Sequence, residues 1–475
     1  MSSFIGRKRE LEKIKSLDAL SFAKLVVIKG RRRVGKSRLI EESAKNKIFL
    51  DFSGLPPVEI ITDQDQRDNF AKQIAQHFSL PPFSFEDWSD GFAHITRHLT
   101  QEPTVLLLDE ISWIGSKDRT FVPKLKVWWD LFLRNYPNLI LVFCSSISTW
   151  IENNIINSTA FFGRITLQLD LEELSIRESR ELLESSGVKA SSYDIFKILS
   201  ITGGIPWYLK HINPQKTVDN NIKELCFEKE GLLVNEFNRI FTDLFGKSGE
   251  IYKRIIESLS KGMKTRAEIL HDLQYPSSGY LSHHLESLRI SGFVAKQYQW
   301  SLKTEKLGRQ SLYRLSDNYL RFYLKYIAPN LPKIMQNSFE DMGRLQGFES
   351  MMGYQVENLL LNNRSLLLEA IGIRPEDIVA DNPYIQRPFD EHRGCQIDYM
   401  IQTNTHNLYV CEFKCRRKEI TLEVVDQMKE KIRRLSKPKG FGVAPVLMHL
   451  GDVADAVYDS KYFYRVIDIE NFLGR

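Results

Sequence analysis

The stretch Leu25-Val-Val-Ile-Lys-Gly-Arg-Arg-Arg-Val-Gly-Lys-Ser37, continued by Arg38-Leu-Ile-Glu-Glu42, decides how this chain is read. Leu25 to Ile28 is a short β-branched run that stops at Lys29-Gly30, the pattern of a buried strand. Arg38 to Glu42 has helical character. Strand, glycine loop and helix is the context that a phosphate-cradling P-loop needs. Gly30 and Gly35 let the backbone turn its N–H groups toward phosphate oxygens, and the helix N-terminus adds partial positive charge. Gly30, Arg31, Arg32, Arg33, Val34 and Gly35 form the loop, and Lys36, Ser37 and Arg38 open the helix. All are expected around bound ATP. Lys36 should reach the β- and γ-phosphates, and Ser37 should ligate Mg²⁺.

A second apolar run, Thr104-Val-Leu-Leu-Leu108, ends in Asp109 and Glu110. An acid at a strand end can hold the magnesium shell, which is the role expected of Asp109. Glu110 is expected to orient or deprotonate the attacking water. A third strand, Leu139 to Cys144, leads into Ser145 and Ser146. Ser146 can feel the γ-phosphate between the two motifs; alternatively Ser145, Ser146 or Ser148 is a helix N-cap.

The chain has 475 residues, 43% hydrophobic and 26% charged, which is ordinary for a globular protein and long enough for about three domains. No stretch is long and apolar enough to cross a bilayer. Charge follows the N-terminus at once, so a secretory signal is not expected and the chain is placed in the cytoplasm. Five scattered cysteines, Cys144, Cys226, Cys395, Cys411 and Cys415, argue against a disulfide framework and read as ordinary thiols. A net charge of +5 permits a nucleic-acid partner without requiring one.

The middle of the chain reads as three helices and a basic hairpin. Glu250 to Leu259 is amphipathic and is stopped by Lys261-Gly262. Thr265 and Glu268 make a capping box for a second helix. Ser277 to Leu288 is the third helix, and the hairpin runs to Leu312-Tyr-Arg-Leu315. This is the pattern of a winged helix. One reading is DNA binding, with Ser278, Tyr280 or His283 in the major groove and Lys303, Lys306 and Arg309 on phosphates. The other is a structural arm, since the third helix has no Arg or Lys before Arg289. Asp317 to Tyr326 is an aromatic helix for packing, and Ala328-Pro-Asn-Leu-Pro332 is a break.

Further on, a helix from Gly347 to Leu361 carries Glu357. The strand Cys395 to Ile401 carries Asp398, and the strand Asn407 to Lys414 carries Glu412 and Lys414. The last two are two apart and share a sheet face. A hairpin turn at 404–407 can bring Asp398 to Glu412. Two carboxylates and a lysine suit a hard cation that polarises a phosphate and activates water.

Beyond these residue-level readings stands a resemblance. Phe4-Ile-Gly-Arg-Lys-Arg-Glu-Leu11 resembles the N-terminal box of AAA-like ATPases, F-x-G-R-x-x-E-L. Thr202-Gly-Gly-Ile-Pro-Trp-Tyr-Leu209 resembles the G-x-P signature of STAND ATPases. The order and spacing of motifs are similar to those of the archaeal-type ATPase family over nearly the whole chain. The resemblance implies that Pro206 packs near the adenine, that a helical lid follows the core, and that the protein forms a homo-oligomer. It makes Arg164, in Phe161-Phe-Gly-Arg164, a candidate for touching the γ-phosphate, with Arg134 as a rival; otherwise Arg164 pairs with Glu172 or Glu173. The C-terminal pattern resembles the PD-(D/E)xK nuclease superfamily. Asp398, Glu412 and Lys414 match its core, Glu357 its helical acid, and Gln427 or Lys431 would complete the site. Asp398, Glu412 and Glu357 are then the metal ligands, and Asp398, Glu412 and Lys414 the cleaving set.

The expected organisation is an α/β P-loop ATPase core (1–165), a helical lid (166–240), a winged helix (241–330) and an α/β restriction-endonuclease-like domain (335–475). The expected function is an ATP-regulated, Mg²⁺-dependent DNA nuclease, with DNA met by the winged helix and the C-terminal domain. The alternative is an ATP-driven switch whose C-terminal domain only binds. A processive motor is disfavoured by the lack of added helicase motifs.

Overall fold

Five parallel strands form the first sheet: β1 (Lys24–Lys29), β2 (Ile48–Ser53), β3 (Thr104–Asp109), β4 (Leu139–Ser145) and β5 (Leu167–Asp170), in the order β2-β3-β4-β1-β5. The computed structural model describes residues 4–474 apart from 57–59, 147, 275–277, 341, 342, 344 and 389–392. Helices cover both faces of this sheet, so its central strands are continuous apolar runs. Alternate residues feed two cores. Val26, Ile28, Val105, Leu107, Ile140 and Val142 face one, and Leu25, Val27, Leu106, Leu108, Leu141 and Phe143 face the other. Truncating a fully buried residue such as Leu106 or Leu141 to Ala would cost about 2–5 kcal/mol. The result is an α/β P-loop NTPase fold with its phosphate loop at the C-terminal end of β1.

Helices follow from Ile176–Ser185 through Ser192–Thr202, Pro206–Leu209 and Val218–Phe227 to Glu236–Phe245. Their starts are written in the sequence. Ser175 and Glu178 form a capping box, and Ser191 and Thr217 cap the next long helices.

The middle segment has helices Gly249–Ser260, Arg266–Leu273 and Ser278–Ile290. A three-stranded sheet goes with them, β6 (Lys264–Thr265), β7 (Val294–Trp300) and β8 (Leu307–Leu315), in the order β6-β8-β7. The Thr265–Glu268 capping box forms as expected: Glu268 N–H donates to Thr265 Oγ1 at 3.2 Å, and Thr265 N–H to Glu268 at 2.7 Å. Ser277 lies outside the described residues, and so do the side chains of Ser278 and Arg309. The hairpin is less free than the sequence suggests. Trp300 and Leu302 are buried with Ile397, Met400 and Leu408 of the C-terminal sheet, and Trp300 Nε1 donates to Gln402 Oε1 at 2.7 Å.

The helix Asn318–Phe322 passes through a π-turn at Tyr323–Ile327 into Ala328–Met335, so Ala328 to Pro332 continues the helix instead of breaking it. Pro329 follows the π-turn directly and Pro332 lies inside the last piece, so the continued helix forgoes the hydrogen bonds of their missing N–H groups.

The C-terminal sheet is mixed: β9 (Ile378–Gln386), β10 (Cys395–Thr403), β11 (Asn407–Cys415), β12 (Gly442–Leu450) and β13 (Arg465–Asp468), in the order β13-β12-β11-β10-β9. β9, β10 and β11 are antiparallel neighbours, while β11, β12 and β13 run parallel. The helix Phe348–Asn362 packs on β11 and the helix Glu423–Arg434 on β10. One apolar cluster runs from Ile14 to Leu473 and joins the ATPase sheet, the helical region and the C-terminal sheet. No helix among the described residues is long and apolar enough to cross a membrane.

Candidate functional site

The P-loop turns where its glycines allow it. A Cβ on Gly30 would stand 2.3 Å from the carbonyl oxygen of Leu171, so only glycine lets the loop pass that strand end. Gly35 has φ 92° and starts the helix Lys36–Ser43. Arg32, Arg33 and Gly35 of the loop line a cleft of about 260 Å³ with Lys36, Ser37, Asp109, Glu110, Pro206 and Trp207, whereas Arg31, expected there too, is buried against Glu173 and Asp317 instead. Ser37 Oγ donates to Asp109 Oδ2 at 2.7 Å, and Lys36 Nζ donates to the carbonyls of Gly30 and Arg31 at 2.9 and 3.1 Å. Arg32, Arg33, Arg38 and Lys210 add positive charge to the same cleft. Pro206 also approaches Gly35, so the Gly203-Gly-Ile-Pro206 segment, within the helical region, lies beside the phosphate loop.

Glu110 is held beside these groups in a left-handed conformation with φ 49°, which is uncommon outside glycine. Its Oε2 accepts from the Ser146 N–H at 2.9 Å and the Ser146 Oγ at 2.8 Å. Ser146 therefore meets the second acidic motif directly. Ser145 instead donates to Ser112 Oγ at 2.8 Å. Arg164 goes elsewhere. It grips Asp130, in the last turn of the helix Phe121–Leu131, through Nε at 2.7 Å and Nη2 at 2.9 Å, rather than Glu172 or Glu173. Arg164 first, and Lys126 at 2.8 Å with it, hold the Asp130 carboxyl down at about 2. Arg134 is exposed.

In the C-terminal sheet the antiparallel register sets Tyr399 opposite Cys411, which brings Asp398 beside Glu412. Phe413 N–H donates to Asp398 Oδ2 at 2.9 Å. Lys414 Nζ lies 2.7 Å from Glu412 Oε1. Lys431, on the helix Glu423–Arg434, pairs with Glu412 Oε2 and stands 3.5 Å from Asp398 Oδ1. Burial first, and Glu412 next, push the Asp398 carboxyl above its ordinary value. Glu357 feels the same environment: burial and then Asp398 raise it to about 8, while Arg314 and Arg321 pull the other way. Gln427 is exposed on the outer side of its helix. Among the described residues no three acidic, His or Cys side chains stand close enough to hold a metal ion together. The expected three-carboxylate set of Asp398, Glu412 and Glu357 is thus not a preformed cage; Lys431 lies between the first two. Cys411 and Cys415 carry free thiols.

Residues 4–212 match the family described as an ATPase domain predominantly from Archaea. The match spans the P-loop, Asp109 and Glu110, and Pro206. The chain is also 25% identical over 365 residues to the uncharacterized protein MJECL04 of Methanocaldococcus jannaschii, a match covering 75% of this chain and 76% of the relative. Its fold is similar to the Walker-type ATPase paby2304 of Pyrococcus abyssi, with a TM-score of 0.50 and 16% identity over 68% of this chain and 96% of that one. The ORC2 protein of Aeropyrum pernix, in its ADPNP–ADP complexes, aligns with a TM-score of 0.42 and 14% identity over 71% of this chain and 97% of that one.

Several residues around the ATPase cleft escaped the sequence reading. Arg7, buried and with φ 58°, donates to the Val34 carbonyl at 3.3 Å, so the N-terminal box braces the P-loop. Trp207 stacks under Arg33, 3.5 Å from guanidinium carbon to ring centroid. Glu236 lies buried beside Arg33 and accepts from the Tyr208 hydroxyl at 3.0 Å. Burial raises its carboxyl despite Arg33. The run of three arginines was the available signal, since three adjacent cations in a packed loop require carboxylate partners.

Proposed function

We propose that the chain binds and hydrolyses ATP with Mg²⁺ at the cleft between the P-loop and Asp109, and that its C-terminal domain is a metal-dependent DNA nuclease governed by that ATPase. The ATPase part is supported by the Ser37–Asp109 contact. A hydroxyl and a carboxylate oxygen 2.7 Å apart present adjacent hard donors beside the phosphate cradle, which suits Mg²⁺. A magnesium ion held there would neutralise phosphate charge. Lys36 would turn from its loop carbonyls to the β- and γ-phosphates, Glu110 would orient the attacking water once it leaves Ser146, and Pro206 would flank the base.

The nuclease part is carried by one observation: Asp398, Glu412 and Lys414 meet on adjacent strands, with Glu357 on the helix packed behind. The pairing resembles the core of a PD-(D/E)xK-type site and supports that reading. The donors fit a hard divalent cation at Asp398 and Glu412, where the Lys431 ammonium now balances their charge, and such an ion would polarise the scissile phosphate. Lys414 would steady the water or the phosphate. The middle segment is read as a winged helix that offers Tyr280, His283, Lys303 and Lys306, all exposed, to DNA.

Lys431 also favours a second reading, in which the ATPase is a switch and the C-terminal domain binds without cutting. Incubation of the full chain with plasmid and single-stranded DNA, with Mg²⁺ or Mn²⁺ and with or without ATP, separates the two. Cleavage that disappears in Glu412→Ala and changes in Lys36→Ala establishes the gated nuclease. ATP turnover without cleavage in every arm leaves the switch.

A further inference from the structure

Arg31, Arg32 and Arg33 are consecutive in the P-loop, and each is paired with a carboxylate far along the chain. Arg31 is buried between Glu173, at 2.9 Å, and Asp317. Arg32 pairs with Asp243, and Arg33 with Glu236. Glu236 and Asp243 both belong to the helix Glu236–Phe245. They are seven residues apart, about two helical turns, and so share one face of that helix. Arg32 and Arg33 line the nucleotide cleft with Lys36 and Ser37, so the arginines nearest the phosphate site are the ones this helix holds.

We propose that Glu236 and Asp243 are positioning residues of the nucleotide site: they keep Arg33 and Arg32 on the helix Glu236–Phe245, and a bound polyphosphate must draw both arginines away from it. The inference rests on the reading of the cleft as an ATP site. A polyphosphate offers more charge than a single carboxylate, and its oxygens accept guanidinium hydrogen bonds in the same forked geometry. A ligand that gains contacts only when the pairs open shifts the protein toward the opened state. Linkage then requires the converse: removing the carboxylates tightens the ligand, because the arginines no longer have to be taken from a partner.

The two pairs differ in depth. Arg32 and Asp243 are both more than a third exposed, at 38% and 35%, so water screens their attraction. Arg33 and Glu236 are 17% and 2% exposed, which makes theirs the stronger hold. Arg33 also keeps φ at 72° and covers Trp207, so its departure would uncover that indole. Tyr208 stays as a partner for Glu236 when Arg33 leaves. The helix they restrain is tied onward: Phe237 stacks on Tyr323 with centroids 4.4 Å apart. Nucleotide occupancy is thereby coupled to the segment that leads to the C-terminal domain.

The test is calorimetric binding of adenylyl imidodiphosphate, a non-hydrolysable triphosphate, to the full chain with Mg²⁺. Asp243→Asn is expected to tighten binding about threefold and Glu236→Gln about tenfold, the latter equal to about 1.4 kcal/mol. Arg33→Met should weaken binding, and Arg33→Met combined with Glu236→Gln should lose the tightening, which a general packing defect would not reproduce. Wild-type Trp207 emission should change on binding, with Trp207→Phe identifying the signal. Unchanged or weaker binding in both carboxylate variants overturns the inference. If Glu236→Gln does not fold, Asp243→Asn, at a half-exposed position, decides alone. A wild-type chain that binds no triphosphate overturns the ATP-site reading instead.

Discussion

Ser37 Oγ donates to Asp109 Oδ2 across 2.7 Å, although β1, which leads into the P-loop, and β3, which ends in Asp109, are separated in the sheet by β4. The P-loop thus meets the second motif over the end of an intervening strand. If Mg²⁺ takes its place between these oxygens, each is needed for hydrolysis more than for binding. Ser37→Ala and Asp109→Asn should each lower kcat by about a hundredfold or more, the scale of losing one preorganised electrostatic group. Chelation of Mg²⁺ should have the same effect on the wild type. Steady-state phosphate release checks both.

Glu110 accepts two hydrogen bonds from Ser146. A carboxylate so engaged is turned from the water it would orient. Glu110→Gln should reduce kcat by about 10²–10⁴-fold, the usual worth of a positioned base, while nucleotide binding persists. Ser146→Ala frees the carboxylate and should change kcat by a smaller factor without changing nucleotide Kd. Single-turnover hydrolysis with equilibrium binding in parallel separates these effects.

The ATPase half was legible in the chain because its chemistry is local. Gly30 to Ser37 are contiguous, and Asp109 and Glu110 close an unbroken apolar run, so strand, loop and role could be read together. The Asp398–Glu412 neighbourhood was legible for a similar reason, since a short turn fixes which strand residues face each other. What stayed hidden depends on contacts distant in sequence. Nothing near Arg164 announces Asp130, 34 residues away, and nothing near Trp300 announces Gln402, 102 residues away. Lys431 was visible as a neighbour of the C-terminal site, but not as the cation that sits between its two acids. The helix through Pro332 was misread because a π-turn ahead of it re-phases the chain, which local propensity does not express.

Arg164 and Asp130 form a forked pair at the surface of the ATPase core. A pair of this kind, 28% and 20% exposed, contributes up to about 1 kcal/mol. Asp130 is held at about 2, below its ordinary 3.8. A depressed carboxyl stabilises the fold fully above its unfolded value and loses that contribution as pH falls toward the folded one. Arg164→Ala should therefore melt below the wild type at pH 6, and the gap should shrink between about pH 4 and pH 2. If Arg164 serves only this pair, ATP turnover at pH 7 should stay within about twofold of the wild type. A loss of a hundredfold in a well-folded variant would restore its role at the γ-phosphate.

Lys431 places one ammonium against both Asp398 and Glu412, a charge arrangement that a divalent cation could take over. Glu412 is buried, so stripping Lys431 away leaves it, among the described residues, only Lys414 as an ion-pair partner. Lys431→Ala should destabilise the C-terminal domain by about 1–3 kcal/mol, the cost of leaving a buried carboxylate short of a partner. Added Mn²⁺ should recover part of that loss, raising the melting temperature of Lys431→Ala more than that of the wild type. The recovery should vanish when Asp398→Asn is added, because one of the two oxygen donors then loses its charge. Differential scanning calorimetry with and without Mn²⁺ reads all three variants. Equal Mn²⁺ shifts in wild type and Lys431→Ala would mean that the lysine and the metal do not share a site, and the case for a divalent cation at Asp398 and Glu412 would fall with it.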